Sequence, residues 1–183
     1  MNEAVTNVPF VARLIERTKP GTLFSSGGTS LGWGLGAALG AKLAAPDKAV
    51  VALVGDGSFL FGCPIATLWA AEVYHAPFLT VIFDNEQYQA PRDALRRAYG
   101  QDSFSAKTGL WVGMDITPPP DYALIAQACQ AYGQIVEDPS LLKSALKDAL
   151  DQVRQGKSAV LDVRIDSQCS PLFSTQDKDA GSS

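Results

Sequence analysis

The chain has 183 residues, 46% of them hydrophobic, and a formal net charge of −4. This length and composition are typical of a single globular domain, and the weak acidity without a basic cluster gives no reason to expect nucleic-acid binding. No apolar run reaches the roughly eighteen residues of a membrane span, and the first residues lack a secretory-signal pattern, so we expect a cytoplasmic protein.

The hydrophobic pattern predicts strands and helices that alternate along the chain. After an N-terminal helical lead-in (1–19), the predicted strands are 22–25, 48–54, 78–83, 134–136 and 158–165. The predicted helices are 31–44, 65–74, 89–99, 121–132 and 139–155, with 100–120 as a long loop and 167–183 as a disordered tail. Gly133 is expected to end the fourth helix. This alternation predicts an α/β fold with a parallel sheet.

Glycine and polar residues follow two of the predicted strands at the point where each strand ends. Gly-Asp-Gly-Ser at 55–58 follows one strand, and Asp84 and Asn85 follow the next. The two strands flank one helix, so they should be parallel, and both ends should lie at the ligand-binding edge of the sheet. Asp56 and Asn85 can offer the oxygen ligands that Mg²⁺ prefers, and Gly57 leaves backbone N–H groups open to phosphate. The sequence therefore indicates a Mg²⁺-diphosphate site.

This pattern resembles the thiamine-diphosphate motif: Gly-Asp-Gly, a spacer of somewhat over two dozen residues, and Asn preceded by Asn or Asp. The glycine-rich segment 26–42 and the segment 46–57 are similar to those of acetolactate synthases and benzoylformate decarboxylases. The resemblance implies that residues 20–166 form a diphosphate-binding domain of the C-terminal type, with a three-layer open parallel sheet and helices on both faces. The spacer, 58–84, is slightly longer than in benzoylformate decarboxylases, which argues against any well-known subfamily.

The resemblance also implies a role for each candidate residue. Asp56 and Asn85 would bind Mg²⁺ through their side chains, and Gln87 through its backbone carbonyl. Leu31 would lie between the two rings of thiamine diphosphate and enforce its bent conformer, while the backbone carbonyl of Thr29 would accept from the 4′-amino group. The other positions expected to contact the cofactor are Ser30, Gly55, Gly57, Ser58 and Tyr88.

No catalytic residue is assigned to this chain. In the family, the activating glutamate belongs to a separate pyrimidine-binding domain, and no βαβ unit precedes the glycine-rich segment here. We therefore expect half of a cofactor site, inactive alone and completed within a homo-oligomer or by a pyrimidine-binding subunit. The partner would cover an apolar surface around Leu31, Trp33 and residues 59–61.

Two interpretations of the function remain open. The chain is either a component of a 2-oxo acid decarboxylase or carboligase, or a non-catalytic truncated relative that acts as a binding or regulatory module. A neighbouring reading frame for a pyrimidine-binding domain would favour the enzyme. A dinucleotide-binding module fits less well, because Gly32, Gly34 and Gly36 lack the Gly-x-Gly-x-x-Gly spacing.

The remaining polar candidates are assigned to ordinary structural roles. Cys63 has no base nearby in sequence, and His75 is expected at a helix end or in a loop. The arginines at 92, 96 and 97 are expected to form a solvated helix face rather than to face an acidic substrate.

Overall fold

The computed structural model describes residues 1–28 and 30–166, so Thr29 and the predicted tail 167–183 lie outside the described residues. Its centre is one sheet of five parallel strands. These are β1 (Asn2–Glu3), β2 (Val51–Gly55), β3 (Leu79–Asp84), β4 (Tyr132–Val136) and β5 (Ala159–Arg164). Their order across the sheet is β1-β2-β3-β5-β4, which places β2 and β3 side by side.

Helices connect these strands. They are α1 (Val8–Leu14), α2 (Trp33–Ala44), α3 (Asp56–Phe61), α4 (Pro64–Val73), α5 (Gln89–Tyr99), α6 (Phe104–Thr108), α7 (Tyr122–Ala128) and α8 (Leu142–Arg154). Short 3-10 turns cover Val5–Asn7 and Pro139–Leu141. None of the described helices has the length and apolar character needed to cross a bilayer.

The sheet is buried on both faces because successive strand residues point to opposite sides. Ile82 and Val160 belong to a core with α2, α4 and α7, whereas Val81 and Leu161 belong to a second core with α8. The predicted three-layer α/β arrangement is thereby confirmed. Apolar, β-branched runs favour such strands, since both faces of each strand must be covered.

Two predictions about single elements were wrong. Residues 22–25 do not form a strand: Ser25 makes one isolated bridge to Asn2, and the unpredicted β1 takes the edge position beside β2. Gly133 does not end a helix but lies within β4. A Cβ at Gly133 would overlap the backbone of Ala123, so this glycine permits the close approach of α7 to β4.

The predicted long loop, 100–120, contains some regular structure. Ser103 caps α6 by accepting a hydrogen bond from the N–H of Ala106. Further along, the N–H of Tyr88 donates to the carbonyl of Met114 and the N–H of Ile116 donates to that of Glu86, both at 2.9 Å. These bonds fasten the end of the loop to the segment that follows β3.

Candidate functional site

The predicted site lies at the carboxyl ends of β2 and β3. Because these strands are adjacent and parallel, Asp56 leaves β2 beside the point where Asp84 ends β3. Asp56 is only 3% exposed. Its carboxylate accepts hydrogen bonds from the backbone N–H groups of Gly57 (2.9 Å) and Gln87 (3.1 Å). The two ends of the βαβ unit are therefore in direct contact.

A cavity of about 300 Å³ opens at this edge of the sheet. The candidate residues that line it are Leu31, Gly55, Asp56, Gly57, Ser58, Asn85, Gln87 and Tyr88. Residues 4–7, which follow β1, complete one wall, and residues 89–91 contribute to another. Ser30 is exposed and lies outside this lining. The fold thus gathers both halves of the motif, and Leu31 from the glycine-rich segment, around one space.

Tyr88 and Gly57 are in close contact at this cavity. A Cβ on Gly57 would overlap ring atoms of Tyr88, and this ring also meets Phe61 edge to face with centroids 6.2 Å apart. Burial, and next the negative charge of Asp56, raises the pKa of Tyr88. The sequence analysis attributed this glycine to phosphate access, and the contact with the Tyr88 ring is a second reason for a residue without a Cβ.

Buried carboxylates dominate the electrostatics beneath the cavity. Arg164 lies 2.7 Å from Asp84 and 3.1 Å from Asp162. Burial raises the pKa of Asp56 to about 7, against the lowering effect of its bond from Gly57, and the charge of Asp84 adds to the rise. Burial, and next Asp84, raises the pKa of Asp162 to about 7. A cation bound beside Asp56 would favour its ionised form and so oppose the effect of burial.

Arg92 is part of the site's framework, so its predicted position on a solvated face was wrong. It is 8% exposed, and its guanidinium donates to the side-chain oxygen of Gln87 and to the Asp115 carboxylate. The guanidinium also lies over the ring of Trp111, 5.5 Å from its centroid, and that of Arg96 lies 4.7 Å from the same centroid. These contacts connect the segment that follows β3 to the 111–115 segment.

A chain of side-chain amides extends this framework along α5. Gln87 donates to Gln89 at 2.7 Å, and Gln89 donates to Asp93 at 2.6 Å. The i,i+4 spacing of Gln89 and Asp93 was the available sequence signal, since such pairs lie on one face of a helix. The same face carries Arg92, which lies between them in sequence.

Most of the chain matches one family of proteins. Residues 4–163 match the family model described as the C-terminal TPP (thiamine pyrophosphate) binding domain of thiamine pyrophosphate enzymes. The chain belongs to this family.

Its relatives in the thiamine pyrophosphate enzyme family include two kinds of enzyme. The chain is 33% identical to acetolactate synthase isozyme 3 large subunit of Escherichia coli over 86% of its length. It is 37% identical to benzoylformate decarboxylase of Pseudomonas aeruginosa over 82% of its length. In both comparisons it spans 26% of the relative, about a quarter of that protein.

A solved structure agrees with these relatives. The thiamine diphosphate-dependent 4-hydroxybenzoylformate decarboxylase of Rhodococcus jostii superimposes with a TM-score of 0.77 at 29% identity. The match covers 90% of this chain and 29% of that one. The family and the fold predicted from the motif are therefore confirmed.

The donor groups at this site would suit a divalent cation that is bound together with a diphosphate. Within residues 1–28 and 30–166, no three His, Cys, Asp or Glu side chains are grouped to hold a metal ion. A divalent cation would therefore depend on Asp56, on neutral oxygens such as that of Asn85, and on oxygens brought by a ligand. Mg²⁺ is commonly held in this way, by one or two carboxylates together with phosphate and water.

Proposed function

We propose that this chain is the Mg²⁺-thiamine diphosphate-binding half of a 2-oxo acid decarboxylase or carboligase. The observation that carries this proposal is the buried Asp56 carboxylate, which shares one cavity with Asn85, Gln87, Tyr88 and Leu31. The similarity to acetolactate synthase and benzoylformate decarboxylase supports the reaction class.

Each candidate residue has a proposed role in holding the cofactor. Asp56 and Asn85 would bind Mg²⁺ through side-chain oxygens, and Gln87 through its backbone carbonyl. The residues proposed to contact the diphosphate are Gly55, Gly57, Ser58 and Tyr88, and those proposed to contact the rings are Thr29, Ser30 and Leu31. When bound, thiamine diphosphate supplies an electron sink for decarboxylation and carboligation.

A partner domain is part of the proposal. The described residues that line the cavity include no glutamate. We therefore place the activating glutamate on a pyrimidine-binding domain, which a homo-oligomer or a separate subunit would supply. An apolar surface supports this arrangement in part: Leu31 and Phe61 are exposed, whereas Phe59 is fully buried. The exposed apolar surface continues along α4 through Ile65 and Trp69.

Calorimetric titration of the chain with Mg²⁺ and thiamine diphosphate tests the proposal. We expect metal-dependent binding by the wild type that Asp56→Ala abolishes. Asp47→Ala is the matched control, because Asp47 is an exposed carboxylate that does not line the cavity. The titration is repeated with an added pyrimidine-binding domain. Absence of binding under both conditions would contradict the enzyme proposal and would favour a module that has lost its cofactor.

A further inference from the structure

We propose that Glu3 is a positioning residue that holds the start of α2, and with it Leu31, against the start of α3. Its effect on cofactor affinity rests on the proposed function, whereas its effect on the loop backbone does not. Glu3 lies on the edge strand β1, outside both halves of the motif.

The Glu3 carboxylate is the acceptor for the first N–H groups of α2. One oxygen accepts from Gly32 (2.6 Å) and Trp33 (3.1 Å), and the other accepts from Gly34 (2.6 Å). The first N–H groups of a helix have no acceptor within the helix, and the N-cap residue here, Gly32, has no side chain that could supply one. A carboxylate at this end also complements the helix dipole. Glu3, 6% exposed, therefore caps α2 from a different element of the fold.

Two glycines allow the backbone to come this close. A Cβ on Gly34 would lie 2.9 Å from both the Glu3 carboxylate and the Val54 side chain. Gly32 has φ of +90°, and its Cβ would lie 2.6 Å from the backbone of Phe61. Any other residue at either position would push the start of α2 away from the acceptor.

Glu3 also contacts the other half of the motif. Its backbone carbonyl accepts a hydrogen bond from the Ser58 hydroxyl at 3.3 Å, and Glu3 pairs with Val54 at the end of β2. A single residue is thus bonded through its side chain to the start of α2 and through its main chain to α3, which begins at Asp56. These bonds connect two of the segments that line the cavity.

Leu31 is connected to this arrangement through the backbone. It precedes Gly32 directly, lines the cavity with Asp56 and Gly57, and is 38% exposed. The hydrogen-bonded backbone at 32–34 therefore constrains where its side chain lies. Without the carboxylate, the loop before α2 would gain freedom while the buried parts of α2 remained packed against the sheet.

Amide hydrogen exchange of the full chain, followed by NMR, tests the inference. In the wild type, the amides of residues 32–34 should be protected about as strongly as those of β2, because they are hydrogen-bonded to a buried acceptor. In Glu3→Gln, which keeps one side-chain acceptor, exchange should rise about tenfold or more at residues 30–34 but not at residues 38–44. Gly34→Ala should have the same effect. Unprotected amides at 32–34 in the wild type would overturn the inference without any variant.

Asp121→Ala is the matched control, because it removes the cap of another helix. Asp121 accepts from the N–H of Leu124 at 2.8 Å, is exposed and does not line the cavity. Titration with Mg²⁺ and thiamine diphosphate should show affinity about tenfold weaker in Glu3→Gln and unchanged in Asp121→Ala. Equal effects of the two variants on exchange at 30–34 would reduce Glu3 to a simple helix cap and overturn the proposal. If the wild type binds no thiamine diphosphate, the proposed function fails and the exchange data alone decide the role of Glu3.

Discussion

The carboxylate of Asp56 accepts a hydrogen bond from the backbone N–H of Gln87, 3.1 Å away. The two residues are far apart in sequence, and they meet because β2 and β3 are adjacent and parallel. The bond holds the segment after β3 against the Asp56 carboxylate. It does so at an energetic cost, because Asp56 is buried near Asp84 and its ionised form has little solvation.

Asp56→Asn should therefore change how stability depends on pH in the metal-free chain. Burial raises the pKa of Asp56 from 3.8 to about 7, so the folded state binds the proton more tightly than the unfolded state. Stability from this group falls as pH rises from about 4 to about 7, and the loss is complete above that range. The variant lacks this loss. Relative to the wild type, it should gain about 1 kcal/mol or more between pH 5 and pH 8 in urea unfolding.

The control for this experiment is Asp47→Asn, which changes an exposed carboxylate. Its unfolding curves should follow those of the wild type across the same pH range. Some pH dependence should remain in Asp56→Asn, because burial and Asp84 also raise the pKa of Asp162 to about 7. Parallel pH profiles for the wild type and Asp56→Asn would contradict the expected ionisation of Asp56.

The sequence predicted those parts of the fold that depend on repeated patterns. The strands that became β2, β3 and β5 have apolar runs of several residues, and their alternation with helices determines the parallel topology. The same topology predicted that the segments containing Asp56 and Asn85 would meet. These inferences needed no knowledge of individual side-chain contacts.

The missed features depend on single contacts between distant residues. A strand of two residues, such as β1, has no periodicity, so neither it nor the role of Glu3 could be predicted. Arg92 was misplaced because its burial depends on Asp115 and Trp111, which come from a segment predicted only as loop. Local patterns specify elements, whereas these contacts are determined by the packing of one element on another.

Arg92→Ala should destabilise the chain by about 1–3 kcal/mol, because buried Gln87 loses the hydrogen bond that Arg92 donates and Trp111 loses a stacking partner. Arg92→Lys should restore little, since an ammonium group cannot donate in two fixed directions to Gln87 and Asp115. The measurement is urea unfolding.

Arg154→Ala is the control for this prediction. Arg154 is exposed, and among the ion pairs of the described residues it is paired only to Asp151. Its loss should therefore cost under about 1 kcal/mol. Equal losses would show that Arg92 contributes no more than a surface charge.

Alanine substitution along α2 should have opposite effects at different glycines. Gly36 and Gly40 have open space where a Cβ would be added, so alanine at each should stabilise the chain by about 0.5–1 kcal/mol through its higher helix propensity. Gly34→Ala should destabilise it, because the Cβ would meet Glu3 and Val54. Thermal unfolding of the three single variants measures the difference. Stabilisation by Gly34→Ala would show that the packing between Glu3 and α2 is looser than described.

Leu31→Ala and Leu35→Ala should separate ligand binding from folding stability. Leu35 is fully buried, so truncation should cost about 2–5 kcal/mol, whereas Leu31 is 38% exposed and its truncation should cost under about 1 kcal/mol. If Leu31 contacts the cofactor rings, Leu31→Ala should nevertheless weaken binding of Mg²⁺ and thiamine diphosphate. Leu35→Ala, titrated at a temperature where it remains folded, should bind like the wild type. Urea unfolding and calorimetry measure the two quantities, and unchanged affinity in Leu31→Ala would remove Leu31 from the proposed site.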